Sequence, residues 1–174
     1  MPSTLIVFYS YTGTSRRVAQ LLAAQQGWPV GEVVEERPRS GAVGTWRCLL
    51  DSLLGREPPI RYEGPEPGGF DQVVLVAPVW LYQLAGPMRS FVTHHSLRLR
   101  RYAVATTMNA SGADNAGAEI ERLLRQAPLL TAVFRARSVE DGSCADALQA
   151  FGDVLAGKPA AAPVRPMEYS PGTA

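Results

Sequence analysis

The chain has 174 residues and a formal net charge of +1, a length that suits one domain. Hydrophobic residues make up 46% and charged residues 19%, enough apolar material for a core and too little charge for a disordered chain. The near-neutral balance implies neither an acidic tail nor a strongly basic nucleic-acid-binding face.

Residues 4–9 form a continuous β-branched and aromatic run, the pattern of a strand buried on both faces. A polar turn occupies residues 10–15. Residues 16–26 then carry Val18, Leu21 and Leu22 at helical spacing, closed by Gly27. Residues 30–34 are a second, weaker strand, so the chain opens as a βαβ unit. Within 38–59, Trp46, Leu49, Leu50, Leu53 and Leu54 fall at helical spacing, which predicts a short helix inside a long crossover. Residues 61–70 are rich in Gly, Pro and charge and read as loop.

Residues 73–77 are the next buried strand and 78–82 its exit loop. A helix is predicted from Gly86-Pro87, with proline in the first turn, to about His95. Residues 102–106 form a fourth strand, 107–114 a small polar exit loop, and 115–125 a helix. Residues 129–136 are a fifth strand and 143–155 a last helix. The domain is expected to span 1–157, with 158–174 a flexible Pro/Ala-rich tail. Five strands alternating with helices predict an α/β, doubly wound parallel sheet with helices on both faces. Such sheets bind ligands outside the carboxyl ends of their strands, so the loops after strands one, three and four should carry the chemistry.

The first loop, Ser10-Tyr11-Thr12-Gly13-Thr14-Ser15, offers four hydroxyls and a glycine at a helix N-terminus, where amides and the helix dipole favour an anion. Read alone, it is equally an ordinary capped turn. The patterns G-x-x-x-x-G-K-[ST] and G-x-G-x-x-G are both absent, which disfavours a nucleoside triphosphate or a dinucleotide and leaves a single phosphate. The second loop sets Trp80 and Tyr82 two apart at a strand end, placed to stack on a planar ring or else to join the core. The third, residues 107–112, can present backbone amides in a concavity or be a plain βα connection. Arg16 and Arg17 read as a solvated helix face, Asp71 as a cap at the start of the third strand, and His94 and His95 as the end of a helix.

Cys48 and Cys144 form no C-x-x-C pair and read as reduced apolar thiols of a cytosolic protein. Adjacent histidines cannot share a helix face, and no Cys/His spacing suits zinc, so no metal is expected. With no apolar run near ~20 residues and no charged, cleavable N-terminal segment, a cytoplasmic protein without a membrane span is expected. No Ser/His/Asp or Cys/His arrangement stands out, so no catalytic side chain is assigned.

Three segments carry a family resemblance. Ile6-Val-Phe-Tyr-Ser-Tyr-Thr-Gly-Thr-Ser-Arg-Arg-Val-Ala19 resembles the FMN phosphate-binding signature of flavodoxins and flavodoxin-like NAD(P)H:quinone reductases. Pro78-Val-Trp-Leu-Tyr-Gln-Leu-Ala-Gly-Pro-Met-Arg-Ser-Phe91 is similar to the family's aromatic flavin loop and following helix, and Thr106-Thr-Met-Asn-Ala-Ser-Gly112 to its third flavin-contacting loop. The resemblance implies a flavodoxin-like sheet of order 2-1-3-4-5 and non-covalent FMN. It implies that Ser10, Thr12, Gly13, Thr14 and Ser15 hold the phosphate. Pro78, Val79, Trp80 and Tyr82 would contact the isoalloxazine, and Thr107, Asn109, Ser111 and Gly112 would close the other side. Leu81 and Tyr82 follow Trp80 where many relatives carry glycine, and Thr14 stands where Asn is common.

The function implied is an FMN-dependent oxidoreductase passing electrons from NAD(P)H to a quinone or similar acceptor, with a homodimer as a further implication. An electron-transfer carrier of flavodoxin type, docking on a redox partner protein, shares every cofactor residue. A flavin-free binding module on the same fold is the third reading. The chain lacks the acidity of electron-carrying flavodoxins, which argues against a very low-potential carrier.

Overall fold

A computed structural model describes residues 2–36, 55–80, 83–108 and 113–158. Seven strands and five α-helices lie in the described residues: β1 Thr4–Phe8, α1 Thr14–Gln26, β2 Val30–Glu35, β3 Ile60–Glu63, β4 Gln72–Trp80, β5 Gln83–Leu84, α2 Gly86–His94, β6 Tyr102–Met108, α3 Ala113–Leu124, β7 Thr131–Arg135, α4 Ala136–Glu140 and α5 Ala145–Leu155. The sheet order is β3-β2-β1-β4-β6-β7, and β5 pairs with β4. The five strands expected from the sequence stand in the order 2-1-3-4-5 as β2-β1-β4-β6-β7, all parallel.

Three additions correct the sequence reading. Residues 61–63, expected to be loop, form with Ile60 the strand β3, which pairs antiparallel with β2. Its alternation is that of an edge strand, with Ile60 and Tyr62 half-buried and Arg61 and Glu63 exposed. β5 folds back on the end of β4, pairing Val79 with Leu84 and Trp80 with Gln83. A short helix, α4, follows β7 where the sequence showed no separate signal. The helix expected within 38–59 lies largely outside the described residues, as does Cys48.

Two apolar layers sandwich the sheet. α1 and α5 bring Val18, Leu22, Leu148 and Phe151 against Ile6, Val74 and Val76. On the opposite face α2 and α3 bring Met88, Phe91 and Ile120 against Leu5, Val7, Leu75 and Val104. The central strands are buried along their length, and each fully buried Leu, Ile or Val side chain contributes on the order of 1.5–3 kcal/mol. Cys144 lies in the first of these layers, and burial pushes its thiol pKa up. α1 ends at Gly27, whose left-handed backbone (φ 71°) donates its N–H to Ala23 O at 2.8 Å.

Asp71 fastens the starts of β1 and β4 together. Its carboxylate accepts from Ser3 N at 2.7 Å and Ser3 Oγ at 2.9 Å, contacts that hold its pKa below the usual range. β4 outruns β1 at its carboxyl end. Val76 O accepts from Tyr9 N at 3.0 Å, where β1 gives way to the first loop. Pro78, two residues on, faces the same side beyond the end of β1, where the sheet requires no N–H donor.

Candidate functional site

The carboxyl ends of β1, β4 and β6 lie side by side at one edge of the sheet because those strands are neighbours. Gly13 heads α1 with φ 95° and ψ −17°, a left-handed geometry that favours glycine. Its N–H donates to Ser10 Oγ at 3.1 Å, which curls the loop. The first helical bond, Arg17 N to Gly13 O at 3.0 Å, leaves the amides of Thr14, Ser15 and Arg16 at the helix opening. The Thr12 and Thr14 hydroxyls lie 3.4 Å apart on the open side of this turn. No atom comes within 4 Å of the position a Gly13 Cβ would take. The turn is therefore an open cradle with hydroxyls and amides and no lysine.

Ser15 is placed differently from the exposed hydroxyls. It is buried, and its Oγ meets Thr107 Oγ1 at 2.6 Å. This bond joins the first turn of α1 to the end of β6, so the Ser15 side chain shapes the cradle while its amide faces the helix opening. Thr107 spends its own hydroxyl in the same way. Pro78 and Val79 are buried in β4, so their side chains belong to the core. Tyr82, Asn109, Ser111 and Gly112, together with Leu81, lie outside the described residues.

Trp80 is half-buried at the end of β4, against the α2–α3 side of the core. Tyr11, from the first loop, meets it edge-on with ring centroids 5.3 Å apart and planes at 84°. Tyr9 does the same at 6.4 Å and 73°. Such edge-to-face pairs contribute about 0.5–1.5 kcal/mol each beyond burial. The Tyr9 hydroxyl donates to Glu35 at the end of β2. The sequence reading counted Tyr9 as strand and left Tyr11 without a role. Their signal was their position either side of Ser10, facing the aromatic loop across the β1–β4 boundary.

Of the cations next to the cradle, Arg16 is engaged elsewhere. The Arg16 guanidinium pairs with Glu32 on β2 and lies 5.5 Å over the Phe8 ring, as expected for a surface helix face. A hollow of about 400 Å³ is lined by Gly13, Arg16, Arg17, Gln20 and Leu21. It runs from Gly13 along the outer side of α1, beside the cradle, and takes in none of the aromatic residues. Among the described residues no group of His, Cys, Asp and Glu is placed to hold a metal ion, and no helix is long and apolar enough to cross a membrane.

The fold is similar to those of solved flavoproteins. A flavoprotein of Lactobacillus acidophilus NCFM in complex with FMN superposes with TM-score 0.67 at 19% identity, over 82% of this chain and 98% of its own. A candidate flavoprotein of Bacteroides eggerthii gives TM-score 0.72 at 21% identity, over 90% and 99%. A Fusobacterium nucleatum flavodoxin bound to flavin mononucleotide gives 0.54 at 6% identity, over 90% and 98%. The chain has a flavodoxin-like fold. No protein-family model and no curated protein matches it.

Proposed function

We propose that the chain binds FMN non-covalently at the convergence of the three loops and works as a redox protein, passing electrons from NAD(P)H to a quinone or similar acceptor. The observation that carries this reading is the meeting of the Gly13 cradle with the Tyr11–Trp80 pair at the carboxyl ends of adjacent strands. An anion and a flat ring, one ligand's two ends, suit the two halves of that site.

The residues present fit the group. The phosphate is taken by the α1 amides with the Thr12 and Thr14 hydroxyls, and the helix dipole favours its charge. Ser10 and Ser15 hold the loop in shape through Gly13 N and Thr107. Trp80, braced by Tyr9 and Tyr11, offers an aromatic surface to the isoalloxazine. Residues 82, 109, 111 and 112 complete the ring's surroundings in this reading. Bound FMN supplies the hydride and electron chemistry, and the chain supplies grip, orientation and dielectric. No side chain is asked to act as acid or base.

The test is the visible spectrum of the purified protein, with flavin fluorescence measured on titrating FMN. A yellow protein, or quenching on titration, is expected. A colourless protein that leaves FMN fluorescence unchanged refutes the reading and favours a flavin-free module. Steady-state NAD(P)H oxidation with a quinone then separates the two redox roles. Sustained turnover by the protein alone is expected, and its absence in an FMN-loaded sample identifies a carrier.

A further inference from the structure

The described residues contain one ion pair buried on both sides. Arg89, in the first turns of α2, is 4% exposed and Glu119, on α3, is 8% exposed, and Arg89 Nε donates to Glu119 Oε1. A cation near a helix N-terminus opposes the dipole, and burying two charges is costly. Packing α2 on α3 needs neither, since an apolar pair of similar volume serves packing equally well.

The pair does provide partners for one residue's backbone. Glu119 Oε2 accepts from Leu84 N at 3.2 Å, and Arg89 Nη2 donates to Leu84 O at 3.2 Å. Both polar groups of Leu84, itself fully buried, are thus satisfied by this one pair. Leu84 belongs to β5, which pairs Val79 with Leu84 and Trp80 with Gln83. Arg89 Nη1 also donates to Arg56 O at 3.1 Å, tying residues 55–59 to the same point.

We infer that Arg89 and Glu119 are positioning residues for the aromatic loop: they pin Leu84, Leu84 fixes β5 against β4, and β5 sets where Trp80 presents its ring. The inference rests on the FMN reading for its consequence in binding, but the placement of Trp80 is measurable without any flavin.

The experiment compares wild type, Arg89→Met/Glu119→Leu and Arg89→Lys. The double change removes both charges while keeping apolar volume, and it is expected to fold with a urea midpoint near wild type. Arg89→Lys keeps the charge pair but loses the planar fork that reaches Leu84 O and Arg56 O together. First, the Trp80 contribution to the near-ultraviolet circular dichroism of the flavin-free protein is taken as the difference from Trp80→Phe in each background. It is expected to be clear in wild type and strongly reduced in the variants. Second, FMN and riboflavin are titrated into each protein. Both flavins are expected to bind about tenfold more weakly to the double variant, the worth of one well-placed aromatic contact. Their ratio should not change, because the phosphate cradle is untouched. Arg89→Lys is expected to lose affinity for both flavins as well, and it decides the matter should the double variant fail to fold. Folded variants with wild-type dichroism and wild-type affinity for both flavins overturn the inference and leave the pair as a helix fastening. A wild type that binds neither flavin overturns the FMN reading alone, and the dichroism still judges the placement of Trp80.

Discussion

Gly13→Ala isolates the conformational demand of the cradle. Gly13 has φ 95°, and an alanine Cβ there would meet no atom within 4 Å. No clash contributes, so the whole cost is torsional. A left-handed conformation costs an L-residue about 1–2 kcal/mol. The narrower unfolded ensemble of alanine returns about 0.4–1 kcal/mol. The net loss is therefore about 1 kcal/mol, read by urea denaturation of the flavin-free protein. Gly13→Asn should lose less, because asparagine tolerates this region better. Gly69→Ala is the control: its Cβ also enters open space but its φ is not left-handed, so only the unfolded-state term remains and its stability should rise by about 0.4–1 kcal/mol. If the loop relaxes rather than bearing the strain, the loss moves into binding, with FMN weakened more than riboflavin because only FMN carries the phosphate. A Gly13→Ala protein with wild-type stability and wild-type affinity for both flavins refutes the reasoning.

Trp80→Ala should weaken both FMN and riboflavin by about 1 kcal/mol in a fluorescence titration, and unchanged affinity would return Trp80 to the core alone. Ser15→Ala or Thr107→Val singly leaves a buried hydroxyl without its partner and should cost about 1–3 kcal/mol in urea denaturation, whereas the double change should cost less than the sum of the two. The Asp153 carboxylate is held at a pKa of about 2, against an ordinary 3.8, by Gln26, Lys158 and Gln149 side chains at 3.0, 3.0 and 2.9 Å. A depressed carboxylate stabilises the fold above pH 4 and loses that contribution as pH falls from about 4 to 2. Asp153→Asn should therefore flatten the acid-induced loss of stability across that window, and an unaltered acid profile would contradict the assignment.

The parallel core was legible because its strands are unbroken apolar runs, and burial on both faces is the only setting that suits them. Residues 73–77 and 102–106 fall in strands as read. β3 escaped because its four residues alternate charged with apolar and sit between Pro58-Pro59 and Gly64-Pro65, so local composition reads as loop. What makes it a strand is non-local: it completes the β2 edge, and Gly31 and Gly64 admit the Tyr62 ring so closely that a Cβ at Gly31 would lie 2.1 Å from its hydroxyl oxygen. At the site, the cradle was visible as hydroxyls and a glycine before a helix, and Trp80 as an aromatic at a strand end. The bracing of Trp80 by Tyr9 and Tyr11 was not, because residues some 70 positions apart meet only once β1 and β4 align. Arg89 and Glu119 each look like solvent-facing helix charges in sequence, and only tertiary packing turns both inward.

The hydroxyl bond between Ser15 and Thr107 spans a sequence separation of 92 residues, and this bears on the order in which the protein assembles. Helix α1 can begin from local contacts, but that bond waits for β1, β4 and β6 to come into register, and parallel pairings of such long range form slowly. The cradle and the aromatic ring surface thus come together late, as the central sheet closes. A ligand that needs both halves selects finished molecules from the folding population and draws that population toward the native state by mass action.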